Sequence, residues 1–432
     1  MENRFIPESL SEVKLVINLI AVILTLIITS DGMGTDWGRF RGPNASGVIS
    51  GNEIPTKIEK ADAVWDVAVA GKGNSSPIIG GTNVYVTAAQ FNAETKEGVR
   101  TLFAYSLSTG KLEWKYEAPF TTYKTNKRNG FASSSPCADA EGIYVFWQAE
   151  HESVLIAFDH SGKKRWLYKV GQFGAGTGAA TSPIVHNGVV VLSHDNEKFE
   201  SFLLAVSAKD GSRLWQTVRK TQRTGYATPA VFQTNSGKTQ IVFSHSYQGM
   251  VGVDFETGKI VWQNIVFGDH NQRAVGSPVI ADDQVIAASG FTNGVRTLVS
   301  LKPDKINNSH QAAEHFRTTR NVPHCPTPIA LYGSLYCWTD RGILSCLDLS
   351  SGQQKWLARI GGEFFCSPVA VGKRILSIDR NGAVVVVAAG EKFKELGRSE
   401  LEVGVMATPA LTDEAIFIRT EKGLLRFNLE TN

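Results

Sequence analysis

A serine or threonine followed by proline recurs eight times in this 432-residue chain: Ser76-Pro77, Ser135-Pro136, Ser182-Pro183, Thr228-Pro229, Ser277-Pro278, Thr327-Pro328, Ser367-Pro368 and Thr408-Pro409. The copies lie 40 to 59 residues apart, and each leads into a short, mostly β-branched run such as Ile184-Val185 or Val279-Ile280. Proline is tolerated at the start of a strand because its missing N–H need not join the ladder. A self-similar period of this length restricts the chain to a repeat architecture.

A second element follows most copies: a small residue, then Asp or Ser, then Gly, then Trp four residues on. It is seen at Ala104…Ser106…Gly110…Trp114, Ala157…Asp159…Gly162…Trp166 and Ala205…Ser207…Gly211…Trp215, and again at Gly252…Asp254…Gly258…Trp262 and Cys346…Asp348…Gly352…Trp356. Asp or Ser closes a side-chain turn, Gly supplies positive φ, and Trp starts the next strand, where its indole can fill the wedge between neighbouring sheets. Between the two elements lie hairpins with loops ending in glycine, at Gln248-Gly249, Arg341-Gly342, Asn381-Gly382 and Lys422-Gly423, read as two-residue turns. Each repeat thus holds four strands. The pattern predicts an all-β fold, an eight-bladed β-propeller of four-stranded antiparallel blades. The last repeat stops at Leu429-Glu430-Thr431-Asn432 without reaching a Trp, while Val64-Trp65-Asp66-Val67 precedes the first Ser-Pro. Trp65 is therefore expected to complete the eighth blade, closing the ring by strand exchange between the termini.

Two repeats are irregular. After Pro278 the turn reads Ser300-Leu301-Lys302-Pro303-Asp304 and Phe316 stands where a Trp is expected; after Pro368 it reads Ala388-Ala389-Gly390-Glu391-Lys392-Phe393. A short helix is expected near Asn308–Glu314.

Composition narrows the function. With 42% hydrophobic and 20% charged residues the chain can bury a large core. Lys+Arg number 44 against 41 Asp+Glu, a net +3, which does not suit a nucleic-acid partner. Five cysteines are too few for a disulfide-built scaffold.

Leu15–Ile28 is a charge-free apolar stretch of 14 residues. A membrane span wants about 20, so the length fits the core of an export signal better. Three readings stand: a cleaved signal, an uncleaved N-terminal anchor helix, and a buried core helix. The first two place the rest of the chain in the periplasm or cell envelope, touching membrane only through this segment. No cysteine lies near Ser30 to accept a lipid. The expected organisation is 1–30 signal or anchor, 31–62 extension and 63–432 propeller.

The Ser/Thr-Pro lead-ins and the Gly-x-x-x-Trp elements, clearest at Gly252–Trp262 and Cys346–Trp356, resemble the pyrroloquinoline-quinone (PQQ)-like repeat of eight-bladed quinoprotein-type propellers. The resemblance covers about residues 63–432. Asp36-Trp37-Gly38-Arg39-Phe40-Arg41-Gly42-Pro43-Asn44 is similar to the leader of exported PQQ-like repeat proteins of planctomycete type, and is expected to pack on the propeller. The resemblance implies one of two functions. One branch of the family contains PQQ-dependent dehydrogenases with a calcium-bound quinone on the axis. The other contains non-catalytic scaffolds such as the propeller lipoprotein of the outer-membrane β-barrel assembly machinery. The chain lacks the adjacent cysteines of the first branch and the lipid-accepting cysteine of the second.

Other motifs fail on context. Gly174-Ala175-Gly176-Thr177-Gly178-Ala179 approaches a dinucleotide fingerprint but precedes a Ser-Pro strand rather than a helix, so it reads as a turn. There is no Gly-x-Ser-x-Gly, and His310 and His315 have no third ligand nearby in sequence. No catalytic residue and no metal site are assigned.

Two features remain. If Arg341-Gly342 is a two-residue loop, Cys337 and Cys346 face each other across the hairpin, so they are either a disulfide or two buried thiols. The loops leading into the innermost strands share one face and carry Lys72, Lys124, Lys127, Arg128, Arg223, Arg273, Arg320 and His324, against Asp269, Glu363 and Glu402. Of these, Lys127, Arg128, Arg223, Arg273, Arg320 and His324 are the candidate ligand or partner contacts. A basic ring at a funnel mouth favours a small anionic ligand or an acidic envelope protein; an ordinary solvated rim is the plain alternative. Trp65, Trp114, Trp166, Trp215, Trp262 and Trp356 are expected to be structural.

Overall fold

The structure, a computed structural model, describes residues 37–267, 273–290 and 295–430. Leu15–Ile28, Asp36 and Asp269 lie outside the described residues. Among the described residues no helix is long and apolar enough to cross a membrane.

Eight antiparallel sheets follow one another in chain order, each with its strands paired consecutively. Blades one to seven span 78–121, 137–171, 184–219, 230–264, 279–318, 329–359 and 369–400. Blade eight takes three strands from residues 410–428 and its outer strand from Trp65–Ala68, which pairs antiparallel with the last strand from Trp65↔Arg426 to Ala68↔Gly423. The ring is closed by the strand exchange that the termini suggest, so no blade is left without its outer strand.

The apolar core lies in layers between blades. Ile184, Val191, Leu203 and Trp215 of blade three pack with Val231, Ile241 and Val253 of blade four. Ile329, Tyr336 and Leu344 of blade six pack likewise with Ala370, Ile375 and Val385 of blade seven. Each sheet is thus apolar on both faces, which is why its middle strands read as continuous β-branched runs such as Val384–Val387.

The Gly-x-x-x-Trp element is an inter-blade fastener. The indole N–H of Trp65 donates to the Leu107 carbonyl at 3.1 Å, Trp114 to His160 at 3.0 Å, Trp166 to Ala208 at 2.9 Å, Trp215 to Phe255 at 2.8 Å and Trp356 to Gly390 at 2.9 Å. In each case the acceptor belongs to the next blade. The rings of the first four lie on the turn glycines of that blade. At Gly258, φ is +70° and a Cβ would sit 2.5 Å from the Trp215 ring, so only glycine fits. Phe316 occupies the same place over Gly352. Trp262 differs: it is wholly buried and donates to Gln240 Oε1 of its own blade at 2.7 Å. The following blade has no turn glycine to receive it, because Arg296–Ile306 runs on as one strand.

Three expectations are corrected. Residues 307–311 are a hairpin turn, not a helix; Asn307 Oδ1 accepts the N–H groups of Ser309 and Gln311 and stops the chain from winding. The loop at Arg341-Gly342 has three residues, 340–342: the Thr339 N–H reaches the Ile343 carbonyl, Gly342 N–H returns to Thr339, and Gly342 takes φ +67°. The loops at Gln248-Gly249 and Asn381-Gly382 are three-residue as well. That extra residue slips the register by one. Cys337 pairs with Ser345 and Cys346 with Tyr336, so the two thiols point into different layers, blades five–six and blades six–seven. No disulfide joins them; both are free and buried, and burial pushes both thiols up in pKa.

Candidate functional site

The loops that lead into the innermost strands, with Phe40 of the leader, surround a funnel of about 570 Å3 on the propeller axis. Its waist is built from the Ser/Thr-Pro repeat. The backbone N–H of Ser76 donates to the Ser135 hydroxyl at 2.9 Å, Ser135 to Ser182 at 2.9 Å, Thr228 to Ser277 at 3.0 Å and Ser277 to Thr327 at 3.0 Å. Thr327 donates to Ser367 at 3.0 Å, Ser367 to Thr408 at 2.9 Å, and Thr408 back to Ser76 at 3.0 Å. Each bond joins one blade to the next, so the dipeptide is a circumferential clamp as well as a strand start. Each hydroxyl that accepts such a bond keeps its own hydrogen to donate.

The leader crosses the axis below this girdle. Ile79 and Ala138 N–H bond to the carbonyls of Trp37 and Gly38, and Ala370 N–H to Gly47. Val48–Ile49 adds a parallel strand inside blade seven. Asn44 clasps Val231 of blade four through both ends of its amide, at 2.7 and 2.8 Å. Arg41 is fully buried and gives its guanidinium to the carbonyls of Ala45, Ser46, Thr327 and Pro328; burial without a carboxylate partner pulls its pKa down to about 9. Arg39 reaches the Pro229 carbonyl and is lowered to about 10 in the same way. Between them, Phe40 points up and lines the funnel.

Arg128, Arg223, Arg273 and His324 line the funnel; Lys127 and Arg320 do not, and both are exposed outside it. Two carboxylates hold the arginines. Glu197 lies 2.8 Å from Arg273 and 3.8 Å from Arg223 and accepts the Gly176 N–H. Glu363 lies 3.2 Å from Arg128 and 3.3 Å from Arg380. Arg128 also stacks over Phe365, 5.1 Å from its centroid. The glycine run 174–178 is a turn, as expected from the strand that follows it; Gly174 N–H is held by Asn196.

Polar residues at the ends of the second strands anchor the lining loops. His245 Nε2 meets the Arg223 carbonyl at 2.8 Å and His194 Nε2 the Gln172 carbonyl at 3.0 Å. Burial lowers the pKa of both rings, that of His194 to about 4. Asp195 and Arg219 form a buried bidentate pair at 2.7 and 2.9 Å. His324, Cys325 and Asp340 are close enough to suggest a metal site. Their arrangement argues against one. Asp340 accepts Arg296 Nη1 at 2.9 Å and the N–H groups of His324 and Cys325, and burial keeps the Cys325 thiol protonated. The cluster clamps the loop that carries His324.

A family model described as outer membrane protein assembly factor BamB matches residues 131–358. The chain belongs to this PQQ-like repeat family. It is 23% identical over 346 residues to outer membrane protein assembly factor BamB of Yersinia pestis, covering 78% of this chain and 70% of that one. It is 23% identical over 296 residues to a polyvinylalcohol dehydrogenase of Pseudomonas sp, 58% of this chain but 42% of the dehydrogenase. A europium-containing methanol dehydrogenase superposes with a TM-score of 0.66 at 12% identity, covering 91% of each chain, which shows the shared fold.

Sequence reasoning missed Glu197 and the girdle. Glu197 sits in a loop after the second strand Val189–His194, on the same side of the ring as the loops that carry the arginines it bonds. The girdle was visible as a recurring hydroxyl before each proline, but its hydrogen bonds run between blades and need the closed ring to exist.

Proposed function

We propose that this chain is a non-catalytic binding scaffold of the cell envelope that takes an acidic segment of a partner protein into its axial funnel. The observation that carries the reading is the charge at the mouth: among the described residues, the guanidinium groups of Arg128, Arg223, Arg273 and Arg380 stand against the carboxylates of Glu197 and Glu363. A concave site with this imbalance focuses positive potential on its opening. The funnel, about 570 Å3, has the size of a small-ligand pocket and admits a chain segment rather than a folded domain. Similarity to outer membrane assembly factors supports an envelope partner, and the apolar Leu15–Ile28 stretch supports export, with 1–30 as targeting segment, 31–62 as extension and 63–432 as propeller.

The second reading is a quinoprotein-type oxidoreductase, favoured by the likeness to a methanol dehydrogenase. The arginines would suit the carboxylates of PQQ. The calcium half does not fit the donors present. A hard cation wants six to eight oxygen ligands, and here Glu197 and Glu363 are each bonded to guanidinium groups, while the sole ligand-type cluster among the described residues contains a thiol and an imidazole.

The test is a calorimetric titration of the full-length protein with poly-L-glutamate, poly-L-lysine, and PQQ plus calcium. Saturable binding of poly-L-glutamate alone is expected, weakened about tenfold or more in Arg223→Ala/Arg273→Ala, provided that variant melts as a folded protein. Quinone binding in place of poly-L-glutamate would overturn the scaffold reading.

A further inference from the structure

The connection between blades one and two is the longest of those leading into an innermost strand that are fully described. It runs over 122–136, fifteen residues, where the connection between blades six and seven runs over 360–368, nine residues. It turns over the funnel, with Lys124, Asn126, Lys127 and Arg128 exposed. Asn126, Arg128, Asn129 and Ser133 all line the funnel. Its base is fixed: Phe131 packs edge-on against Phe91 and Tyr123 and contacts Phe120, and its carbonyl accepts Arg100 Nε at 2.7 Å. Its inner side rests on the next lining loop, where the Thr177 carbonyl accepts Asn126 N–H at 3.2 Å and Asn129 Nδ2 at 3.0 Å.

Its tip is held differently. Arg128 belongs to the junction of blades one and two, and Glu363 to the junction of blades six and seven, three steps away around the ring. Their 3.2 Å ion pair therefore crosses the mouth instead of following the rim. Arg128 lies over Phe365 beside it. Both partners are well exposed, at 38% and 42%, so the pair is screened and weak. Glu363 is in addition shared with Arg380.

We propose that residues 122–133 are a strap across the funnel mouth, latched by Arg128 on Glu363, and that the acidic ligand opens it by taking the place of Glu363 on Arg128. The ligand half of this statement rests on the function proposed above; the strap itself does not. The chemistry is an exchange of carboxylates on one guanidinium. The arriving carboxylate keeps Arg128 paired, and the released Glu363 keeps Arg380, so neither charge is stranded.

Lys124, Lys127 and Arg128 make the strap a trypsin substrate whenever it lifts, which gives a readout independent of any ligand. The experiment compares tryptic nicking at these residues, followed by mass, in the full-length wild type, Glu363→Gln and the remote surface control Glu391→Gln, with poly-L-glutamate affinity measured on the same proteins. Glu363→Gln is expected to be nicked several-fold faster at unchanged melting temperature and to bind poly-L-glutamate several-fold more tightly, because no latch has to be broken; Glu391→Gln is expected to match wild type. Nicking of Glu363→Gln at the wild-type rate would overturn the strap. Faster nicking with unchanged poly-L-glutamate affinity would overturn the ligand exchange. Faster nicking with no poly-L-glutamate binding by any protein would sink the acidic-ligand reading while the strap stood.

Discussion

The backbone N–H of Thr408 bonds to the hydroxyl of Ser76 at 3.0 Å across 332 residues of sequence. This contact closes the hydroxyl girdle at the axis, while Trp65–Ala68 closes blade eight at the periphery. The ring is thus locked at its inner and its outer radius by two unrelated devices, one polar and one a β-ladder.

Removing the inner lock tests that statement. Ser76→Ala leaves the buried Thr408 N–H without its acceptor. An unsatisfied buried donor costs about 1–3 kcal/mol, so the denaturant midpoint should fall with little change in slope. A midpoint equal to wild type would show that the girdle adds nothing to ring closure.

Trp262→Ala should be costlier. The side chain is fully buried between blades four and five with Val285, Val299 and Leu301, and truncation opens a large cavity. The expected loss is about 3–5 kcal/mol. Trp166, half-buried beneath the outer edge, should cost less on the same truncation; equal losses would refute the ranking by burial.

Most of the fold is legible in the repeat because its signals are local. Pro cannot sit inside a ladder, Gly takes a φ near +70° without the strain a Cβ brings, and Trp needs a large pocket, so each residue marks its own place in a blade. Hairpin register was less legible. Arg341-Gly342 fits a two- or a three-residue loop by its residue types alone, and the third residue, Asp340, makes its contacts outside the hairpin, with Arg296 of another blade and the loop at His324. The site was legible only in part for the same reason. Arg128, Arg223, Arg273 and His324 could be placed by asking which loops share a face, but Glu197 and Glu363 act as the arginines' partners through contacts across blades. Lys127 follows the same loop as Arg128 yet points away from the funnel, and no local rule distinguishes two adjacent cations.

Stability should fall on the acid side of neutrality. His194 is held neutral by burial, its pKa lowered from 6.5 to about 4, so between these values the unfolded chain binds a proton that the folded chain refuses. Stability from this group is complete above about 6.5 and is lost as pH falls towards 4, on the order of 3 kcal/mol in all. His245, lowered for the same reason, acts in the same direction. His194→Gln, which can still donate to the Gln172 carbonyl, should flatten the curve between pH 7 and 4; an unchanged slope in chemical denaturation would show that His194 does not titrate in this range.

The five thiols should stay thiols. Cys137, Cys337, Cys346 and Cys366 are buried, Cys325 is half-buried, and all are pushed up in pKa by burial. Native protein, even after air oxidation, should react slowly with a thiol reagent, and after unfolding all five should titrate. Three titratable thiols in the unfolded, unreduced protein would restore a Cys337–Cys346 bond and contradict the register.

The leader should matter to both stability and the funnel. Arg41 gives hydrogen bonds to four carbonyls, two of them from blade six, and no neutral side chain can replace that set. Arg41→Ala should cost about 2–4 kcal/mol, close to the loss of a buried network. Phe40→Ala removes only the ring that faces the funnel, so it should leave the melting temperature within a few degrees of wild type while changing the affinity for poly-L-glutamate. Loss of stability in Phe40→Ala with no change in Arg41→Ala would mean that the leader is held by its aromatic ring and not by the carbonyls under the girdle.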